Sequence, residues 1–290
     1  MTVQARGLRK AFGAQEVLKG IDLDVAPGEV VGLIGPNGAG KTTLMWCLLG
    51  FLHPDGGTVS IDGKAVDDLD VRRRTGFVPE RMNFGRTETG RAFLRYMARL
   101  ARVPHREVNA RSNAMLERLG IAGAAEKRLS QYSRGMLQRI GMCQALIHQP
   151  DFLFLDEPTS GLDPNGVLLV RDLIAEQKAR GAAVLLNSHQ LAEIEKVCDR
   201  VLFLGNGVIT HRETLRHTDR IVVAITLLDF DAEAVARIAG VAPQGNVVIA
   251  TVEDEPAIAK LVKDLVDSGA GVIEVRRHTA DLESIFRGAA

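Results

Sequence analysis

Ile21, Leu23 and Val25 alternate with Asp22 and Asp24, the period-two pattern of a half-buried strand. Pro27-Gly28 marks a turn. Val30, Val31, Leu33 and Ile34 then form a nearly continuous apolar run, which suits a strand covered on both faces of a sheet. This strand enters the glycine-rich stretch Gly35–Gly40. A helix is predicted from Lys41 to about Leu49, with Gly50 as its stop. Thr58–Ile61 reads as a short strand closed by the turn dipeptide Asp62-Gly63, and Gly76–Pro79 as another short apolar piece.

From about Thr87 the period changes. Phe93, Met97 and Leu100 fit one helix face, and Pro104 ends that helix. Val108, Met115 and Leu119 fit a second helix stopped at Gly120, and a third is expected over about Arg134–His148, ahead of Pro150. Residues 85–148 are thus predicted to be mainly helical, inserted between strand-rich parts. Strand character returns at Asp151–Leu155 and Ala182–Asn187. The helix between them is signalled by Asp163 as cap, Pro164 at its first position and Gly181 at its end. Val201–Leu204 and Val208–Thr210 flank Gly205-Asn206-Gly207, a hairpin signal.

After Arg216 the texture becomes that of a small α+β unit. Ile221–Leu228, Val247–Val252 and Gly271–Arg276 read as strands. Ala232–Ile238, the Ile258–Val266 stretch and Leu282–Phe286 read as helices. The expected division is a first domain over 1–215 and a second over 216–290.

Composition narrows the class. The chain has 290 residues with 46% hydrophobic and 25% charged, ordinary for a folded globular protein. Lys+Arg and Asp+Glu are both 36, which argues against a nucleic-acid binder acting through a global positive field. Cys47, Cys143 and Cys198 lie far apart, so they are expected to be buried and reduced rather than a disulfide framework. The longest apolar runs, Leu44–Leu52 and Ile221–Leu228, fall well short of the ~18 residues of a spanning helix. The N-terminal stretch has no apolar core of a secretory signal. A cytosolic protein is expected, and any membrane action would need another chain.

The candidate chemistry begins with Gly35-Pro36-Asn37-Gly38-Ala39-Gly40-Lys41-Thr42, which matches the phosphate-binding pattern G-x-x-x-x-G-K-[ST]. The glycines let successive backbone N–H groups point at phosphate oxygens. The helix opening at Lys41 aims its positive end at the same anion. Lys41 suits the β- and γ-phosphates, and the Thr42 hydroxyl suits Mg²⁺. A second motif, Phe152-Leu153-Phe154-Leu155-Asp156-Glu157, is an apolar strand delivering two carboxylates to its carboxyl end, where open α/β sheets bind ligands. Asp156 suits Mg²⁺ through water, and Glu157 suits a base that polarises water. A third, Tyr132-Ser133-Arg134-Gly135-Met136, precedes a helix that Ser133 can cap.

With Ser160-Gly161-Leu162-Asp163 and Asn187-Ser188-His189, these motifs stand in the order and spacing of an ABC transporter ATPase subunit, and the chain resembles that family over residues 1–212. The motifs look like its Walker A, signature, Walker B, D-loop and switch-histidine elements. The resemblance implies an α/β P-loop ATPase cassette with an inserted helical subdomain and a small C-terminal α+β domain. It implies ATP and Mg²⁺ as cofactors, with Gly35, Pro36, Asn37, Gly38, Ala39, Gly40, Lys41, Thr42 and Thr43 around the nucleotide. Phe12 stands where the family places an aromatic on adenine; as a lone residue it would read as core. Two cassettes would face head to tail, so that Ser133, Gly135 and Met136 of one close over the nucleotide of the other. His189 would contact the γ-phosphate. A separate transmembrane permease would dock near Glu80–Tyr96, placing the pair peripherally on the cytoplasmic face of the membrane.

Two departures stand out. Glu80 occupies a position where the family usually has Gln, and a carboxylate there would hold Mg²⁺ more tightly. The signature shows Tyr132 for Leu, Arg134 for Gly and Met136 for Gln. An upstream Leu129-Ser130-Gln131 mimics its start, and Ser133 is the favoured serine. These features, with Leu282-Glu283-Ser284-Ile285-Phe286, resemble the ATPases of type-2 ABC exporters. The rival readings are a nucleotide-gated scaffold with little hydrolysis and a soluble ABC ATPase without a transport role.

Overall fold

The computed structural model describes residues 2–82, 85, 87–215 and 221–277. The chain divides into two compact units, the first ending at Thr214 and the second starting at Leu215. The first unit begins with strands β1 (Val3–Phe12), β2 (Gln15–Val25) and β3 (Val30–Ile34), followed by helix α1 (Lys41–Leu48) and strand β4 (Gly56–Ile61). Helix α2 (Leu69–Arg73) and strand β5 (Thr75–Val78) lead to helices α3 (Gly90–Leu100), α4 (His105–Arg118) and α5 (Arg134–Leu146). The unit closes with β6 (Phe152–Asp156), α6 (Pro164–Ala179), β7 (Ala183–Asn187), α7 (Leu191–Val197), β8 (Arg200–Gly205) and β9 (Val208–Thr214).

Its central sheet has six strands in the order β5-β6-β7-β3-β8-β9. All neighbours are parallel except the β8–β9 hairpin. Every residue of β3, β6 and β7 is buried, as their continuous apolar runs require when helices cover both faces. Phe152 and Phe154 of β6 share one core with Leu33, Leu44, Met45, Leu48 and Leu185. A second sheet of three antiparallel strands, β2-β1-β4, packs into the same core. The order of the main sheet brings the carboxyl ends of β3 and β6 to one edge, separated by β7, and this crevice is where such sheets bind ligands.

The helices between β5 and β6 correct one expectation. The buried face of α3 is Gly90, Leu94 and Ala98, with Phe93 and Met97 half-buried on its flank and Leu100 exposed. Packing at the smallest residue decides the orientation: a Cβ at Gly90 would sit 2.0 Å from the Tyr132 hydroxyl oxygen. The helix therefore docks through its narrow side rather than through the bulky stripe read from the sequence. Likewise α4 buries Val108, Ser112 and Leu116, while Met115 is half-buried. Asp163 occupies the N-cap position of α6, but its side chain makes no cap bond. It accepts instead from Arg139 Nη2 at 2.8 Å.

The second unit contains β10 (Ile221–Leu228), α8 (Ala232–Ala239), β11 (Val247–Val252), α9 (Glu255–Asp267) and β12 (Gly271–Arg277). Its antiparallel sheet runs β11-β10-β12. Val223, Ile225 and Leu227 of β10 share a core with Val235 of α8 and Leu265 of α9, so both helices cover one face. The helix expected over Leu282–Phe286 lies outside the described residues. Cys47, Cys143 and Cys198 are buried and form no disulfide. Among the described residues no helix is long and apolar enough to cross a membrane.

Phe154 is 1% exposed and anchors the strand that carries the carboxylates. Phe154→Ala is expected to lower unfolding free energy by about 3–5 kcal/mol through the cavity it leaves. Urea unfolding followed by circular dichroism checks this, and a loss below about 1 kcal/mol would mean that β6 is not packed as described.

Candidate active site

The loop from Gly35 to Gly40 joins β3 to α1. Its shape depends on glycine at two points. A Cβ at Gly35 would lie 2.1 Å from the Leu204 carbonyl oxygen, so only glycine lets the strand end press against β8. Gly38 has φ +84° with open space where a Cβ would project, a left-handed backbone that side chains disfavour. α1 starts with no side-chain cap and no acidic residue in its first turn. Its first amides and its dipole thus favour an anion. Lys41 Nζ donates to the Gly35 and Pro36 carbonyls at 2.8 and 3.0 Å. Burial lowers the Lys41 pKa, opposed by the charges of Glu157 and Asp156.

Across the crevice, Asp156 ends β6 at 4% exposure. Burial raises its pKa, the hydrogen bond from Asn187 lowers it, and the charges of Glu80 and Glu157 raise it further. That bond comes from Asn187 Nδ2 at the last register pair of β6 and β7, while Asn187 Oδ1 is buried without a hydrogen-bond partner. Glu157 adopts φ +49°, an uncommon conformation for a non-glycine residue. Its N–H donates to the Asn187 carbonyl at 2.9 Å, and its carboxylate accepts from the His189 N–H at 3.0 Å. His189 Nδ1 lies 2.8 Å from the other carboxylate oxygen. A carboxylate only accepts, so Nδ1 carries the proton of this pair. The buried Gln138 of α5 donates to the Pro158 carbonyl at 3.0 Å, fixing the backbone just after the two acids.

These groups enclose a cavity of about 600 Å³ lined by Asn37, Gly38, Gly40, Lys41, Thr42, Thr43, Glu80, Glu157, Ser160, Asn187 and His189, with Val17 at one side. Asn37, Gly38, Gly40, Lys41, Thr42, Thr43, Glu80, Glu157 and His189, picked from the sequence, therefore meet in one place, while Gly35, Pro36, Ala39 and Asp156 are not among the lining residues. Phe12 does not line the cavity; it is 51% exposed, which excludes the core reading, with Lys10 Nζ 5.8 Å from its ring centre. Ser133, Gly135 and Met136 are also outside it. Ser133 caps α5 by accepting from the Met136 N–H at 3.3 Å, and Leu129–Gln131 is one turn of 3-10 helix. Sequence reasoning assigned no site role to Asn187, Ser160 or Val17. The first two lay within quoted motifs; Val17 had no signal of its own.

The cavity fits a phosphate chain through the left-handed loop, the uncapped helix start and the lysine. The cation question turns on the donor set. Among the described residues no group of three or more His, Cys, Asp or Glu side chains could hold a metal ion. Thr42 and Glu80 line the cavity, and the charge of Glu80 acts on Asp156. A hydroxyl and carboxylates are the kind of oxygen donors that Mg²⁺ takes, together with waters and substrate phosphates.

The family model "ABC transporter" matches residues 18–160. ABC transporter ATP-binding protein YdbJ of Bacillus subtilis is 35% identical over 97% of this chain and 92% of its own length. This chain belongs to the ABC transporter ATP-binding family. A second ABC transporter ATP-binding protein, sll0415 of Synechocystis, is 45% identical over 66% of this chain, which spans 55% of that relative's length. The daunorubicin resistance ATP-binding protein DrrA3 of Streptomyces coeruleorubidus is 38% identical over 69% of this chain and 64% of its own. Among solved structures, an ATP-binding subunit of an ABC transporter is 27% identical with a TM-score of 0.71, covering 92% of this chain and 100% of that one. A dimeric ATP-binding cassette in a post-hydrolysis state with ADP and phosphate is 26% identical with a TM-score of 0.66, covering 74% of this chain and 100% of that one. The fold is that of an ABC cassette.

The Asp156 carboxylate yields a pH test. Its pKa is raised on folding, chiefly by burial, so ionised Asp156 costs stability above its folded pKa. That cost begins to fall as pH drops through the folded value and is gone once pH lies below the lower, unfolded value. Asp156→Asn, measured without divalent cation, is therefore expected to raise the urea midpoint at neutral pH. The gain should shrink towards acid pH. A gain that is constant with pH, or a loss at neutral pH, would contradict the burial assignment.

Proposed function

We propose that this ABC family member is the ATP-binding and ATP-hydrolysing subunit of a transporter that drives a separate membrane permease. The observation that carries the proposal is the convergence of the phosphate-type loop, Lys41, Thr42, Glu80, Glu157 and His189 on one cavity. In this reading Gly35, Pro36, Asn37, Gly38, Ala39, Gly40 and Thr43 cradle the phosphates with backbone amides, and Phe12 packs on adenine. An ammonium has three donors. Lys41 spends two on loop carbonyls and offers the remaining one to the β/γ-phosphates. Thr42, Glu80 and Asp156 would hold Mg²⁺, which neutralises charge on the phosphate oxygens.

Glu157 is the proposed general base: its carboxylate takes a proton from the attacking water, and the γ-phosphoryl leaves ADP as phosphate. The left-handed turn at Glu157 and its bond to the Asn187 carbonyl keep that carboxylate at the mouth of the crevice. His189 orients it through two contacts and acts on the γ-phosphate side. Ser133, Gly135 and Met136 are assigned to the nucleotide of a second, head-to-tail copy, a homodimer. Their position outside their own chain's cavity supports this, as does the dimeric relative with ADP and phosphate. The permease would dock around Glu80–Tyr96 and the helices that follow, on the cytoplasmic face of the membrane. The name of the relative DrrA3, a daunorubicin resistance ATP-binding protein, supports an exporter of the type-2 branch. The proposed domain division is a cassette over 1–215 and an accessory α+β domain over 216–290.

Purified full-length chain is expected to hydrolyse ATP in the presence of Mg²⁺. Glu157→Gln should lower turnover by about a hundredfold or more, within the range of general-base effects. It should still bind ATP and accumulate as a dimer on size exclusion with ATP. Unchanged turnover removes Glu157 from the base role, and a monomer with ATP bound contradicts the head-to-tail closure.

A further inference from the structure

Helix α5 holds the segment that follows the two acids through several side chains in a row. Arg134, its first residue, donates from Nη2 to Ser160 Oγ at 2.5 Å. Gln138 takes the Pro158 carbonyl at 3.0 Å. Arg139 takes Asp163 at 2.8 Å and the Leu119 carbonyl at 3.1 Å. The Arg134 side chain also lies flush on Gly161, where a Cβ would come within 2.8 Å of Arg134 Cδ and 2.9 Å of Nε, with φ +76°. On the same side, a Cβ at Gly135 would be 3.2 Å from the Gly161 carbonyl oxygen. Ser160 is the member of this segment that lines the cavity.

We infer that Arg134 is a positioning residue that sets the rotamer and proton of the Ser160 hydroxyl, and so ties the first turn of α5 to the nucleotide cavity of the same chain. A guanidinium has only donors, so Ser160 Oγ must accept from it. The hydroxyl proton is then left to donate, and the cavity in front of it is where acceptor oxygens of a phosphate or a water would lie. The inference deepens the function proposed above and rests on it. If the first turn of α5 closes over a partner's nucleotide, Arg134 links that event to the chain's own site. A glycine at position 134, which the family usually carries, has no side chain with which to make this bond.

Arg134 is exposed, so substitution there is expected to leave folding intact. The test uses the full-length chain, with steady-state ATPase kinetics, affinity for a fluorescent ATP analogue, and amide hydrogen exchange over residues 157–163. Arg134→Ala should lower kcat about tenfold, as loss of positioning does, with affinity changed by less than about twofold and exchange over 157–163 raised. Arg134→Lys, which restores a donor, should recover most of the activity. Arg134→Ala combined with Ser160→Ala should be no slower than Ser160→Ala alone, since both act through one hydroxyl. Wild-type kcat and exchange in Arg134→Ala overturn the inference, as does a double variant whose losses multiply. A wild-type chain that fails to turn over ATP overturns the proposed function instead. Exchange alone then judges the Arg134–Ser160 link, and unchanged protection over 157–163 in Arg134→Ala rejects it.

Discussion

Asn187 donates to the Asp156 carboxylate across the last pair of β6 and β7, and the arrangement of the site follows from that contact. A carboxylate at the end of a fully buried strand carries a desolvation cost, and here burial raises its pKa. The neighbouring amide offsets part of the cost and fixes the oxygen positions. The same residue extends the ladder by one step, because its carbonyl accepts from the Glu157 N–H. The chain then leaves the sheet through a left-handed turn at Glu157. That turn brings the Glu157 carboxylate beside His189 and the lining of the cavity.

The opposing wall is built by a different economy of contacts. Gly35 lets β3 run directly against the Leu204 carbonyl, and Lys41 folds back on the loop it follows. Lys41 and the start of α1 thus share one cavity of about 600 Å³ with the carboxylates of Glu80 and Glu157. The charge of Asp156 raises the Lys41 pKa and that of Lys41 lowers the Asp156 pKa, while the charge of Glu157 raises both. Helix α5 stands behind the acidic wall, and its Gln138, with Arg134 and Arg139, anchors the loop after Glu157.

The apolar runs at Val30–Ile34 and Phe152–Leu155 were legible because strands buried on both faces leave no room for polar residues. The Gly35–Thr42 loop was legible because backbone geometry restricts it to glycine at fixed places. The orientation of α3 was not, since it depends on a close approach between Gly90 and Tyr132, residues distant in sequence. The partner of Asp163 escaped for a similar reason: a local cap and a distant arginine compete for one carboxylate, and Arg139 won. Asn187 and Ser160 stood inside recognisable motifs, yet their hydrogen-bonding roles emerge only when β6, β7 and α5 are brought together. Phe12 illustrates the limit of hydrophobicity as a guide, since its exposure shows that an apolar side chain need not belong to the core.

The central claim is that the cavity is built for the phosphates of a nucleotide, with a cation held between nucleotide and protein. Calorimetric titration of the full-length chain with AMP, ADP and ATP, each with and without Mg²⁺, tests it most directly. The account predicts affinity that rises with the number of phosphates, that is strengthened by Mg²⁺ for ATP, and that is lost for ATP in Lys41→Ala. AMP binding as tightly as ATP, or ATP binding indifferent to Lys41, would contradict it.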